Sequence, residues 1–287
     1  MLVVLGHSGF IGRAVFQSLI KLADKVAGLS SAQLNLLTPQ SSAVISNLSA
    51  EEPVFIFCPA VIPSQGGDNF ESFRKNTEMV FNFSRGLRAG VKKVVFLSSN
   101  AVYGDHHFSG TFSESTPVIP HSFYAAAKLS GEVLLERVCA DLGIPLLILR
   151  LTMVYGPGDK PRYNPAGLLL TALHNKKIEV FGEGEDVRDH LYLDDAARVI
   201  GQLAPSQAVG IYNVASGQSY SFRQVAEIIK SFLPETEIVF KPRRQPVATH
   251  HFNISKLKTA LPPNFSFTSL KEGIMLLLKT DGGDKSS

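Results

Sequence analysis

At 287 residues and a net charge of +3, the chain is long enough to bury a sizeable core and too weakly basic to argue for a nucleic-acid partner. Hydrophobic residues make up 45% and charged residues 18%, the proportions of an ordinary globular protein, and no apolar run approaches the roughly eighteen residues of a membrane span. Cys58 and Cys139 have neither metal nor redox spacing, and Met1–Leu5 lacks the basic start of a signal peptide, so the expectation is a soluble, cytoplasmic protein without a metal.

The first half alternates short apolar runs with amphipathic stretches. Leu2–Leu5, Val26–Leu29, Val54–Phe57, Val94–Leu97 and Leu146–Leu149 read as strands covered on both faces. Helical patterns at Ile11–Leu22, Phe70–Ala89 and Tyr124–Leu142 lie between them. This alternation predicts an α/β fold with a Rossmann-type, doubly wound parallel sheet. Beyond Gly156 the chain becomes loop-rich. A helix follows near Gly167–Asn175, then a strand at Ile178–Phe181 and a turn at Gly182-Glu183-Gly184, with helices at Asp194–Leu203 and Ser221–Leu233. The expected organisation is a nucleotide-binding domain over 1–155, rejoined by 190–215. A smaller C-terminal α/β lobe over 156–189 and 216–280 carries the substrate, and the polar tail 281–287 is disordered.

Three clusters carry chemistry. Gly6-x-x-Gly9-x-x-Gly12 sits between a strand and a helix, where glycines let backbone N–H groups and the helix N-terminus approach a pyrophosphate. Ser98-Ser99 ends a later apolar strand, and Tyr124-x-x-x-Lys128 follows on a helix. Tyr124 and Lys128, at i and i+4, share a helix face, and an ammonium beside a phenol favours the phenolate. Each cluster alone is weak; the three in this order, in suitable secondary structure, are not.

The three-residue glycine interval, followed by Ser98-Ser99-Asn100-Ala101-Val102-Tyr103-Gly104 and Tyr124-x-x-x-Lys128, resembles the extended short-chain dehydrogenase/reductase family, of the NAD-dependent epimerase/dehydratase type. Two further blocks are similar to that family: Leu149-Arg150-Leu151-Thr152-Met153-Val154-Tyr155-Gly156-Pro157, and Gly182-x-Gly184-x-x-x-Arg188-Asp189 running to Asp195. The resemblance covers roughly residues 1 to 279 and implies an enzyme. It assigns Ser99, Tyr124 and Lys128 to catalysis, with Asn76 supporting Lys128 from a place expected to open the helix before the Ser99 strand. Gly6, Gly9, Phe10, Ile11, Gly12, Ser30, Asn35, Pro59 and Ala60, with Tyr124 and Lys128, fall in the cofactor site. Ser99, Asn100, Tyr124, Met153, Arg188 and Arg243 fall in the substrate site, the two arginines on a diphosphate.

Four departures narrow what the resemblance implies. No acid follows the second strand, where Ser30-Ser31 stand, so the cofactor is NAD or NADP. NAD is the first expectation, with Arg13 the candidate to meet a 2′-phosphate. Asn35 replaces an acid near the adenine. Asn100-Ala101 replace the acid–base pair that eliminates water in the family's dehydratases, which disfavours that reaction. Met153 and Phe57 replace an Asn and a His and suggest an altered substrate pocket. The leading expectation is a nucleotide-sugar epimerase that moves hydride between sugar C4 and a nicotinamide, working as a homodimer through Phe70–Ala89 and Tyr124–Leu142. A 4-ketoreductase with the same Ser-Tyr-Lys group, and a non-catalytic NAD(P)-binding sensor or scaffold, are the alternatives.

Overall fold

A computed structural model describes residues 1–104, 108–159, 163–243 and 245–281; of the tail expected over 281–287, Asp281 instead ends the last helix and 282–287 lie outside the described residues. In chain order the first half runs β1 (Leu2–Leu5), α1 (Phe10–Leu19), β2 (Val26–Leu29), α2 (Ser41–Ser49), β3 (Val54–Phe57), the single turn α3 (Pro63–Gly66), α4 (Phe70–Gly86) and β4 (Lys93–Ser99). A 3₁₀ turn (Asn100–Tyr103), β5 (Gly110–Phe112), α5 (Phe123–Leu142), β6 (Leu146–Leu151) and β7 (Met153–Tyr155) follow. The second half adds α6 (Pro165–Asn175), β8 (Lys177–Phe181), β9 (Val187–Tyr192), α7 (Leu193–Leu203), β10 (Gly210–Val214), β11 (Ser219–Ser221) and α8 (Phe222–Phe232). It closes with β12 (Glu237–Lys241), β13 (His250–Phe252), α9 (Ser255–Ala260) and α10 (Leu270–Asp281).

Six strands form one parallel sheet in the order β10-β6-β4-β3-β1-β2. The order reverses at β1, between β3 and β2, so the glycine loop leaves the sheet at the crevice where open α/β sheets take ligands. Two apolar cores cover the faces. One, with Val4, Leu97 and Leu149, packs under α1 and α7; the other, with Val3, Phe57, Phe83 and Phe96, packs under α4 and α5. This is why the strands read as unbroken apolar runs.

A third core, built on Tyr155, Leu169, Val180, Phe222 and Ile274, joins α6, α8 and α10 to the small parallel sheet β8–β12. β9 bridges the halves, pairing in parallel with β7 and antiparallel with β11. Helix starts follow the sequence closely. Ser221 caps α8 in a reciprocal capping box with Gln224, and Asn69 does the same for α4 with Ser72. Asn76, expected at a helix opening, lies well inside α4, because the cap is Asn69.

Candidate active site

Gly6 ends β1 at φ +75°, a left-handed conformation that favours glycine. Gly9 then begins α1 with no side chain capping its N-terminus, so the first-turn N–H groups stay available to an anion. A Cβ placed on Gly12 would lie 2.2 Å from the Gly6 carbonyl oxygen; only glycine lets the helix start this close to the strand. Gly6, Gly9, Phe10, Ile11 and Gly12 line a cavity of about 1010 Å³. This bare, tightly turned cradle at a helix N-terminus fits a dinucleotide pyrophosphate.

Another wall of the cavity carries the residues expected to move a proton. Pro59 and Ala60 leave β3, and Ser99 and Asn100 leave β4, into the same cavity, which Tyr124 and Lys128 face from the first turns of α5. Ser122 caps α5 by accepting from Ala125 N at 3.0 Å, and Asp68 accepts from Tyr124 N at 2.9 Å. Lys128 is 4% exposed, and its Nζ donates to Leu97 O at 2.7 Å while lying 5.8 Å from the Tyr124 ring centre. Burial pushes its pKa down to about 8, with Glu132 acting the other way. Ser99 Oγ accepts from Ala101 N at 3.2 Å, which starts the 3₁₀ turn.

Beneath this wall lies a buried network that the sequence reading left without a role. Glu132, one turn past Lys128, accepts from Ser98 Oγ at 2.5 Å and from Arg150 Nη2 at 2.6 Å. Arg150 Nη1 donates to the Tyr103 hydroxyl at 3.0 Å, which donates to Asn213 Oδ1 at 2.8 Å. The available signal was Glu132 at i+4 from Lys128 on an otherwise apolar helix face. Cys58, given no place in the site by its sequence spacing, lines the cavity, and burial pushes its thiol up to about 12, so it stays protonated.

Several expected contacts are not brought to the cavity. The Asn76 side chain accepts from Val61 N at 2.8 Å and donates to Val61 O at 2.9 Å, so it pins the loop after β3. Ser30 turns both its N–H and its hydroxyl onto Gln33 Oε1, each at 2.9 Å, and the adjacent Ser31 lines the cavity instead. Asn35 is exposed, and its Oδ1 accepts from Leu37 N at 3.1 Å in a local turn. Arg13 reaches the loop after β7, its Nη2 sitting 2.9 Å from where a Cβ on Gly158 would be, rather than the end of β2. Phe57 does not reshape the pocket either: it is buried against Phe83 and Phe96, with ring centres 5.1 and 5.7 Å away.

At the far end Met153, Arg188 and Arg243 line the cavity beside Tyr163, whose ring stacks on Phe222 at 4.2 Å. Arg188 Nη1 donates to Val187 O at 2.8 Å and Ala248 O at 2.6 Å. Arg243 is held by Asp186 at 2.5 Å and Glu185 at 2.7 Å, two acids that the sequence reading did not single out. Asp189, next to Arg188, accepts from Ser216 N, Ser216 Oγ, Gly217 N and Thr152 Oγ1. Burial pushes its pKa up to about 6 against those bonds, and it ties β9 to the loop after β10.

The chain is similar to known proteins in sequence and in fold. An uncharacterized UDP-glucose epimerase of Bacillus subtilis is 28% identical over 79% of this chain and 73% of its own length. A dTDP-glucose 4,6-dehydratase of Neisseria gonorrhoeae is 25% identical over 82% and 78%. Among solved structures, the Thermus thermophilus UDP-glucose 4-epimerase in complex with NAD superposes with a TM-score of 0.81 at 24% identity, over 98% of this chain and 99% of that one, which shows the fold. Residues 2–215 match the family described as NAD dependent epimerase/dehydratase. The chain is an NAD(P)-dependent enzyme belonging to that family.

Proposed function

We propose that the protein is a nucleotide-sugar epimerase-type oxidoreductase acting at sugar C4. The observation that carries this reading is that Ser99, Tyr124 and Lys128 line the same cavity as the Gly6–Gly12 cradle. A nicotinamide bound there supplies the hydride acceptor and donor. Tyr124 takes the proton of the C4 hydroxyl as hydride leaves C4 and returns it to the oxygen when C4 is reduced again. Ser99 hydrogen-bonds the same oxygen, and the Lys128 ammonium favours the phenolate of Tyr124. Water elimination is disfavoured: Ala101, which lines the cavity, stands where a proton-transferring side chain would be needed.

We assign Arg188 and Arg243 to the substrate diphosphate, residues 1–155 with 190–215 to the cofactor unit, and 156–189 with 216–280 to the substrate lobe. Ser30-Ser31 place no carboxylate at the end of β2, which leaves NADP admissible and keeps a 4-ketoreductase as the second reading. With Arg13 turned toward Gly158, NAD remains the first choice. A homodimer is assigned to the outer faces of α4 and α5, where Phe70, Phe81, Phe123 and Val133 are exposed. No helix among the described residues is long and apolar enough to cross a membrane.

The test is to denature purified protein and identify released nicotinamide by mass spectrometry, then assay UDP-hexoses. Near-stoichiometric NAD with interconversion of C4 epimers is expected. Empty protein that turns over 4-keto sugars with NADPH moves the assignment to the ketoreductase. Protein that binds neither cofactor removes both readings.

A further inference from the structure

The diphosphate end of the cavity carries its own counter-charges. Arg243 is paired from two sides: Nη1 donates a hydrogen bond to Asp186 Oδ2 at 2.5 Å, and Nη2, which has no hydrogen-bond partner among the described residues, lies in ion-pair contact with Glu185 Oε2 at 2.7 Å. Asp186 also lies 3.8 Å from Arg188 Nη2, so two arginines meet two carboxylates and the local charge cancels before any ligand arrives. The two acids are not equivalent. The Asp186 side chain is 13% exposed and accepts from Ala248 N at 2.9 Å, which fixes it in the wall. The Glu185 side chain is 41% exposed at the rim, where it also accepts from Glu183 N at 2.7 Å.

Gly182 shows that this pair is built into the turn. It sits at φ +62°, and a Cβ there would lie 2.7 Å from both Arg243 Nη2 and Glu185 Oε2. A side chain at this position would force the pair apart.

A guanidinium presents two donor edges, and a phosphate oxygen needs one of them. The fixed Asp186 keeps one Arg243 edge occupied and holds the side chain over the cavity. The edge held by Glu185 can be exchanged, because Glu185 has solvent to turn into. We propose that Glu185 is a built-in competitor for phosphate: it occupies Arg243 in the ligand-free protein, and the diphosphate of the substrate displaces it. Glu185 thereby sets how tightly the nucleotide part is held. This rests on the nucleotide-sugar reading above and adds to it a residue that tunes affinity, outside the proton-transfer group.

The experiment titrates UDP and, in parallel, dTDP into NAD-saturated protein by calorimetry, with uridine as the phosphate-free control. The chains compared are the parent, Glu185→Gln, Arg243→Ala and the double variant. Glutamine keeps an oxygen to accept from Glu183 N, so the turn is retained while the charge is lost. The expected result is nucleotide binding roughly three- to fivefold tighter in Glu185→Gln, with uridine unchanged and no gain when Arg243 is already alanine. A folded Glu185→Gln that binds no tighter overturns the inference. So does an equal gain in the Arg243→Ala background, which would mean general repulsion rather than competition for Arg243. A parent protein that binds neither nucleotide removes the nucleotide-sugar reading itself, an outcome distinct from a parent that binds and a variant that does not improve.

Discussion

Burial acts on Lys128 in two opposing ways. Its pKa falls from 10.5 to about 8 on folding, chiefly through desolvation. Between those values the unfolded chain keeps a proton that the folded chain releases, so this group's penalty on stability is full below pH 8 and lessens as pH rises toward 10.5. On the proposed mechanism activity needs the ammonium and runs the other way. Turnover should fall about tenfold per pH unit above roughly 8, while urea midpoints over the same range do not fall on account of Lys128; a flat rate profile to pH 10 would remove the ammonium from the mechanism. Tyr124→Phe should lower kcat by about a thousandfold or more while released-cofactor stoichiometry stays at the parent level. Tyr124 and Lys128 were legible because i, i+4 spacing on a helix is a local property. Asn76, Ser30 and Asn35 were misplaced because a short polar side chain takes whichever partner the nearby loop presents. For Asn76 that partner is the Val61 backbone, and for Ser30 it is the Gln33 amide.

At the scale of elements, two contacts set where the reacting groups stand. One is α1 against β1. In Gly12→Ala the new methyl meets the Gly6 carbonyl at 2.2 Å, so the helix must move. We expect a loss of about 1–3 kcal/mol in stability and a larger loss in cofactor affinity, read by thermal denaturation and by fluorescence titration with NADH. Parent-like NADH binding would show that the helix N-terminus does not hold the cofactor. The other contact is the Glu132–Arg150 pair, 2% and 3% exposed, which joins α5 to β6 and, through Ser98, to β4. Glu132→Ala leaves a buried guanidinium without its carboxylate and should cost about 3–5 kcal/mol by urea denaturation. Five of the six strands of the sheet and most helices were visible in the sequence because each buries a continuous face; the edge strand β10 (Gly210–Val214) was not read as one. The three-residue pair β5 and β13 was not: it joins Gly110–Phe112 to His250–Phe252, and neither segment is long enough to carry a period.

The cavity as a whole is enclosed by parts far apart in sequence, from Gly6 to Phe252, and one wall of it is α5. The inner face of α5 carries Lys128 and Glu132, and with α4 it forms one side of the molecule. Phe70 and Phe81, 67% and 50% exposed, are about three helical turns apart on α4 and so share one outer face. Val133 on α5 is 59% exposed. Large side chains left in water on two adjacent helices are better explained by a partner surface than by chance exposure, and a second copy of the same two helices offers a self-complementary face. The parent protein should elute in light-scattering chromatography at twice the chain mass, with an interface of about 1,200–2,000 Å². Phe81→Glu combined with Val133→Glu should give a folded monomer, because neither side chain belongs to the core. That monomer should also lose turnover, since α5 without its brace no longer fixes Tyr124 and Lys128 against the end of β4. A double variant that stays dimeric would move the interface elsewhere, and a monomer with parent activity would show that α5 needs no brace for the reaction.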